Sequence, residues 1–464
     1  MNVVITSLHI SALMIPIITL LILWYQRRGI EIDHVFLFSA GFIFYLVLPY
    51  TLTGTDFFIH NHTYSAWQKV FNTIPAQTWV GYFTSLLLFY GSFIAGSWIA
   101  SKPSDSTVPS EHCRGGRLVL QKIKSLVIQA DGIHPAALNV FFAAAIFFIV
   151  MFGYRLRDYF FYSYSKSTQI PAFSSFVAAA VLLISLAICA MVYRFYRQNG
   201  KRSFLRSLVH PAVISYCIVA FLLVSMGGRV IVISSLMMFM VFFSVYIRRL
   251  PLVFSFIFLF SLVLVSHSIL LWRFGQDARI FVNPIQEYFK WRWWQGLGIN
   301  FFSENFNVGY SLIDFLGKYS IPLLRFPIVL TRHLVGLVPS FVFPSKASWV
   351  VDFSSLGYDI GSLSGGFNAY VSLVLNFGIV GASLFLFGFS YALQSLKQYA
   401  RPIPTVVYVL VSGWLAAEFF RDFEQTVIKE MLQFSVLMPL ALLVLSRIMK
   451  SYASKNSSRD QLHL

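Results

Sequence analysis

The side chains able to do chemistry gather in and beside the stretch Trp272 to Gly365. Arg273, Arg279, Arg325 and Arg332 lie inside it, and Arg229 precedes it. A guanidinium stays charged, grips phosphate with two parallel N–H bonds and tolerates partial desolvation. These positions therefore suit an anionic, phosphate-bearing ligand. Arg229 follows Gly227 and Gly228 and opens an apolar run, where a helix dipole adds to the attraction for an anion. The same arginines also suit a plainer role as anchors that snorkel to lipid headgroups. His333, beside Arg332, is the one histidine of the stretch, and imidazole works as a general base near neutral pH. Asp352 and Asp359 flank the turn Ser354-Ser355-Leu356-Gly357-Tyr358 and are the alternative groups for taking a proton from a hydroxyl. The three remain open as the base.

Other chemistries lack their residues. There is no Walker A motif, no strand-framed GxGxxG, no Gly-x-Ser-x-Gly, no His-Glu-x-x-His and no Asp-x-Asp. The expectation is a site that uses neither nucleotide nor metal, with no cofactor. His60-Asn61-His62 offers two imidazoles, and two ligands do not make a site. Cys113, Cys189 and Cys217 have no metal-ligand spacing, and none falls in a loop expected outside. Lys290-Trp291-Arg292-Trp293-Trp294 suits stacking on sugar rings or docking to the membrane interface, and the interface is the better fit.

The elements that must hold these residues are membrane helices. The chain has 464 residues, 57% hydrophobic and 11% charged, and its mean hydropathy is +0.71. A soluble domain carries about 25% charged residues, so an all-α, polytopic membrane protein is expected. Apolar runs of spanning length fall near 3–24, 34–52, 78–100, 136–153, 172–193, 209–226, 229–247, 251–271, 366–394, 402–420 and 431–447, eleven in all. The organisation is then helices 1–8 over residues 1–271, with a basic loop 101–135. A large polar loop 272–365 follows, then helices 9–11 over 366–450 and a polar, disordered tail 451–464. Leu118–Ile128 suits a short surface helix on anionic lipid.

The net charge of +17 would suggest nucleic acid in a soluble protein. Here it follows membrane orientation instead. With the N-terminus outside, the inside segments hold Arg27, Arg28, Lys102, Arg194, Arg197, Arg248, Arg249, Lys397, Arg401 and Arg447 among others. The short outside loops hold few basic residues. That arrangement puts the large loop outside, which is the periplasm in a double-membrane bacterium, and the C-terminus inside. Ser320–Pro339 carries Arg325, Arg332 and His333 between prolines and reads as an interfacial or re-entrant helix. Arg325 and Arg332, seven residues apart, would then share a helical face.

With that pattern in place the chain resembles the bacterial O-antigen polymerases, which join lipid-linked repeat units, and more distantly the O-antigen ligases. The likeness rests on span count and orientation and on Gly227-Gly228-Arg229 opening a span. It also rests on Val338-Pro339-Ser340-Phe341-Val342-Phe343-Pro344-Ser345-Lys346, and on Gly365-Gly366-Phe367-Asn368-Ala369-Tyr370 followed by Asn376-Phe377-Gly378-Ile379-Val380-Gly381. Arg325 to Gly336 fits an Arg-x10-Gly pattern, without a second copy in the other outside loops. Asn368 stands where relatives often carry a carboxylate.

The resemblance implies a C-type membrane glycosyltransferase. Its donor would be a glycan on undecaprenyl pyrophosphate and its acceptor a lipid-linked repeat unit. Its surroundings would be the bilayer and a chain-length regulator, a polysaccharide co-polymerase. The five arginines would hold the pyrophosphate. Ligation of finished glycan to a lipid core, or flipping of the lipid-linked unit, are the alternative activities. The sequence has no internal repeat of the kind many transporters show.

Overall fold

The computed structural model describes residues 2–27, 29–48, 73–102, 133–157, 171–197, 208–226, 229–251, 253–255, 257, 261, 308–338, 343, 345, 353–360, 368–399, 401–416, 418–421, 423 and 426–460. Every regular element among these is a helix. They are α1 (Asn2–Arg27), α2 (His34–Phe42), α3 (Ala76–Ser101), α4 (Pro135–Leu156), α5 (Pro171–Arg197), α6 (Pro211–Ser225) and α7 (Arg229–Phe242). Then come α8 (308–318), α9 (Ile328–His333), α10 (Ala369–Gln398), α11 (Pro402–Gly413), α12 (Glu418–Arg421) and α13 (Met438–Asp460). Wider π turns extend α2 over Ile43–Val47 and α7 over Phe243–Ile247, and a π-helical stretch Thr426–Leu437 leads into α13.

Seven of the described helices are long and apolar enough to cross a membrane, and three shorter apolar ones accompany them. The protein is a membrane-embedded helical bundle. The expected span 251–271 falls mostly outside the described residues, as do the loop 103–132 with Leu118–Ile128, the His60-Asn61-His62 triplet and the 290–294 patch.

Local sequence explains the helix starts. Pro135 and Pro211 occupy the first turns of α4 and α6, where a missing N–H costs nothing and the fixed φ already suits a helix. The preceding His134 and His210 cap these ends, with Nδ1 accepting from the Ala136 and Ala212 amides at 3.3 and 3.2 Å. The core centres on α5, buried along most of its length and packed by α4, α6 and α11. Within a bilayer such helices associate through close packing, because lipid is as apolar as their side chains. The most extensive pairing among the described helices is α3 on α10. There Gly96 is required, since a Cβ would collide with the Phe387 carbonyl.

The turns and helix ends that carry Arg27, Arg249 and Lys397 meet at one end of the bundle. A single antiparallel bridge ties Ile30 to Leu250 there. Asp33, fully buried, caps α2 through the Phe36 amide and pairs with Lys397 and Arg27, both at 2.7 Å. Glu31 pairs with Lys397, Arg27 and Arg249 at 2.8–3.1 Å. Next to them His34 meets the Tyr408 hydroxyl and Ser97, each at 3.2 Å. All the basic members belong to segments expected inside.

The tail corrects one expectation. Residues 451–460 continue α13 as helix. After Pro439 no proline or glycine interrupts the run, so the span extends past its apolar part.

Candidate functional site

The opposite end of the bundle carries the described parts of the large loop. Its attachment begins at Asn368, which caps α10. The Asn368 side-chain oxygen accepts from the Tyr370 amide at 2.9 Å, and its Nδ2 donates to the Val308 carbonyl at 3.1 Å. Its main-chain N–H donates to Ser311 Oγ at 3.1 Å. One fully buried residue thus caps α10 and docks α8. The contact to Val308 needs a donor, which a carboxylate lacks. That accounts for asparagine here and makes the position structural.

From α8 the chain holds the 353–360 segment. Lys318 pairs with Asp314 at 2.9 Å and donates to the Asp359 carbonyl at 3.2 Å. The Asp314 hydrogen bond raises the Lys318 pKa above the ordinary lysine value. The Tyr319 hydroxyl accepts from the Asp359 amide at 2.8 Å, and the Tyr319 and Tyr358 rings meet edge to face at 5.1 Å. Gly357, with φ of 86°, ends the short helical turn Ser354–Leu356 and turns Tyr358 back.

Tyr358 meets Arg325. The guanidinium donates to the Tyr358 hydroxyl and lies over the same ring, 5.1 Å from its centroid. Arg325 is half-buried, and no carboxylate among the described residues pairs with it. Its backbone is clipped into α10. The Arg325 N–H donates to the Phe377 carbonyl at 3.0 Å. In return the Ile379 and Val380 amides donate to the Pro322 and Leu323 carbonyls at 2.9 and 3.1 Å.

This clip requires a break in α10, and Gly378 supplies it. Its φ is 72°, and a Cβ would lie 2.6 Å from the Leu323 oxygen. Non-helical backbone at membrane depth persists only where protein satisfies its hydrogen bonds, which the clip does. Beside it, Leu323, Leu324 and Phe326 are 72%, 70% and 69% exposed, as suits side chains facing lipid.

The structure revises the shared helical face expected for Arg325 and Arg332. Pro327 separates them: Arg325 lies in non-helical chain, and only Arg332 and His333 are on α9. The Leu330 amide of α9 donates to Asn376 Oδ1 at 2.9 Å, while Asn376 Nδ2 donates to the Ser372 carbonyl at 2.9 Å. Arg332 is exposed and His333 half-buried. The following turn, Leu334–Leu337, packs on the π-helical Thr426–Leu437. Glu430 and Lys429 therefore belong to the same end of the bundle, an approach no sequence spacing signals. Twelve residues of π-helix are unusual, and such turns concentrate at functional sites.

Of the other expected site residues, Asp359 is exposed and held through its backbone. Arg229 begins α7, with its side chain outside the described set. Arg273, Arg279 and Asp352 also lie outside the described residues. The structure thus brings together Arg325, Tyr358, Asp359, Tyr319 and Lys318, and it ties α9 with Arg332 and His333 to the same stretch of α10. Tyr358, Asn376 and Gly378 carry this arrangement without having been singled out as site residues. Among the described residues no group of His, Cys, Asp and Glu has the makings of a metal site.

The chain matches no protein-family model, and no curated protein or solved structure matches it.

Proposed function

We propose that this chain is a C-type membrane glycosyltransferase that polymerises lipid-linked oligosaccharide repeat units, the O-antigen polymerase reaction. It would act at the periplasmic face of the bacterial inner membrane, with its N-terminus periplasmic and its C-terminus cytoplasmic. One observation carries the reading: Arg325 is a half-buried cation with no carboxylate partner among the described residues, held over Tyr358 at a lipid-facing break in a helix. A guanidinium with no carboxylate partner among the described residues suits a phosphate group presented from the membrane surface.

In the proposed reaction the acceptor hydroxyl attacks the anomeric carbon of the donor glycan. The bond from that carbon to the pyrophosphate oxygen breaks, and the lipid pyrophosphate leaves with the electron pair. Arg325 and Arg332, joined by Arg229, Arg273 and Arg279, stabilise the charge developing on the leaving group, as preorganised cations do. His333, Asp359 or Asp352 takes the hydroxyl proton. The pyrophosphate linkage supplies the driving force, so the proposal needs neither nucleotide nor metal.

Gene deletion followed by gel analysis of the cell's lipopolysaccharide tests the reading. A core carrying one repeat unit is the expected product. A bare core with lipid-linked polymer accumulating would instead identify the ligase, and an unchanged ladder would overturn both. Activity of the purified protein that chelator removes and magnesium restores would overturn the metal-free mechanism.

A further inference from the structure

The end of the bundle that holds the buried ion cluster carries more cations than the cluster matches. Glu31 and Asp33 pair with Arg27, Arg249 and Lys397. Lys102, just past the end of α3, pairs with neither. Its ammonium lies over the Trp98 ring, 3.7 Å from the centroid. A lysine that merely snorkels reaches outward to water, whereas this one is folded back on an indole four residues earlier. The ring fixes the cation in place. It accepts none of the three N–H bonds that an ammonium can donate to oxygen. Among the described residues no oxygen accepts from this ammonium and no carboxylate pairs with it.

The helix end beside it is arranged to spare an anion. A bare C-terminus would repel one through its free carbonyls. Here Gln398 Nε2, from the end of α10, donates to the Ala100 carbonyl at 2.9 Å, and the Lys102 N–H donates to the Ile99 carbonyl at 3.3 Å. The first of these bonds also ties the ends of α3 and α10 together.

The neighbours say which anion. Trp98 is 59% exposed, Ile99 46% and Tyr399, next to Gln398, 43%. Tryptophan and tyrosine at the ends of spanning helices sit at the headgroup level of a bilayer. A soluble anion would leave these side chains in water. A lipid covers them while it presents its phosphate to the lysine. We propose that Lys102 and Trp98, with Tyr399 beside them, form a binding site for the headgroup of an anionic phospholipid. In the orientation proposed above, that lipid belongs to the cytoplasmic leaflet. The ammonium N–H groups bond the phosphate oxygens, a charge-assisted contact. The glycerol and the first carbons of the chains rest on Trp98, Ile99 and Tyr399. Arg325 lies at the opposite end of the bundle, and the site does not depend on the reaction proposed there.

Binding of phosphatidylglycerol and of phosphatidylcholine to the purified full chain in neutral detergent is measured by native mass spectrometry. Wild type should bind phosphatidylglycerol more tightly. Lys102→Gln and Trp98→Leu should each weaken phosphatidylglycerol binding about five- to tenfold and leave phosphatidylcholine unchanged. Leucine keeps the apolar surface and helix propensity of position 98 and removes the π-face. Lys450→Gln, which removes the same charge from an exposed position on α13, should stay within about twofold of wild type. An unchanged Tm in all three variants is expected, since the altered side chains are exposed. Undiminished phosphatidylglycerol binding by Lys102→Gln overturns the proposal, as does phosphatidylcholine binding as tightly as phosphatidylglycerol. Equal losses in Lys102→Gln and Lys450→Gln overturn it in favour of diffuse attraction between charges. Displacement of phosphatidylglycerol by excess inorganic phosphate overturns it in favour of a soluble anion, and displacement by polyglutamate in favour of an acidic protein.

Discussion

Arg325 and Tyr358, 33 residues apart, form one unit in which the guanidinium donates to the tyrosine hydroxyl and rests on its ring. The ring orients the cation without neutralising it, which a carboxylate would do. Arg325→Ala should abolish polymer longer than one repeat. Arg325→Lys should not restore it, because an ammonium lacks the planar fork. Tyr358→Phe keeps the ring and loses the hydroxyl, so activity should fall about five- to tenfold, the worth of about 1 kcal/mol. Repeat-unit incorporation by purified protein checks all three, and equal activity of Arg325→Lys and wild type would refute the fork.

Gly378 joins a left-handed φ to backbone contact with Leu323, and an alanine meets both obstacles. Gly378→Ala should cost about 1–3 kcal/mol and release the 322–325 segment. A lowered Tm in detergent together with new protease cleavage near Arg325 is the expected result. A Tm equal to that of wild type would show that the break tolerates a side chain.

Asn376 holds α9 by its Leu330 amide. Asn376→Ala should lower repeat-unit incorporation by moving Arg332 and His333, with a stability loss of about 1 kcal/mol. Asn376→Asp keeps the acceptor but loses the Nδ2 donor to the Ser372 carbonyl and buries a charge, so it should recover little activity; wild-type incorporation by Asn376→Ala would place the residue's role elsewhere.

His333→Ala should slow turnover by about a hundredfold or more if imidazole is the base. Wild-type ladders from His333→Ala would remove it and turn attention to Asp359→Asn and Asp352→Asn.

The buried ion cluster at the other end makes a pH prediction. Burial by itself pushes the Asp33 carboxyl up, but Lys397 and Arg27 together outweigh it and hold it well below the usual carboxylate range. Such a group stabilises the fold above its unfolded pKa, and that contribution fades as pH falls from there toward the folded value. Its share of the Tm should be level from pH 7 to 5 and decline below about pH 4. Asp33→Asn should cost about 3 kcal/mol at pH 7 and flatten the acid decline. An unchanged Tm profile would show the cluster to be dispensable.

The membrane-embedded helical character was legible in the sequence because spanning requires long apolar runs, a constraint written locally. The runs near 78–100, 136–153 and 172–193 lie within α3, α4 and α5, a few residues short at their ends. The arginines near 325 and 332 were legible as candidates for the same reason: a cation is conspicuous where the chain is apolar. The seven-residue spacing misled, because Arg325 lies in non-helical chain between Pro322 and Pro327. No spacing rule covers an irregular segment that borrows its hydrogen bonds from a broken helix.

By itself the sequence determined that the chain enters the membrane, and it marked the few charged residues that are candidates for an anion. Only the tertiary structure decided that Arg325 rests on Tyr358, that Gly378 opens α10 to receive Leu323, and that Asp33 finds Lys397 from 364 positions away. Apolar length and charge are properties of neighbouring residues. These pairings depend on which helices lie side by side, and close packing across distant segments sets that.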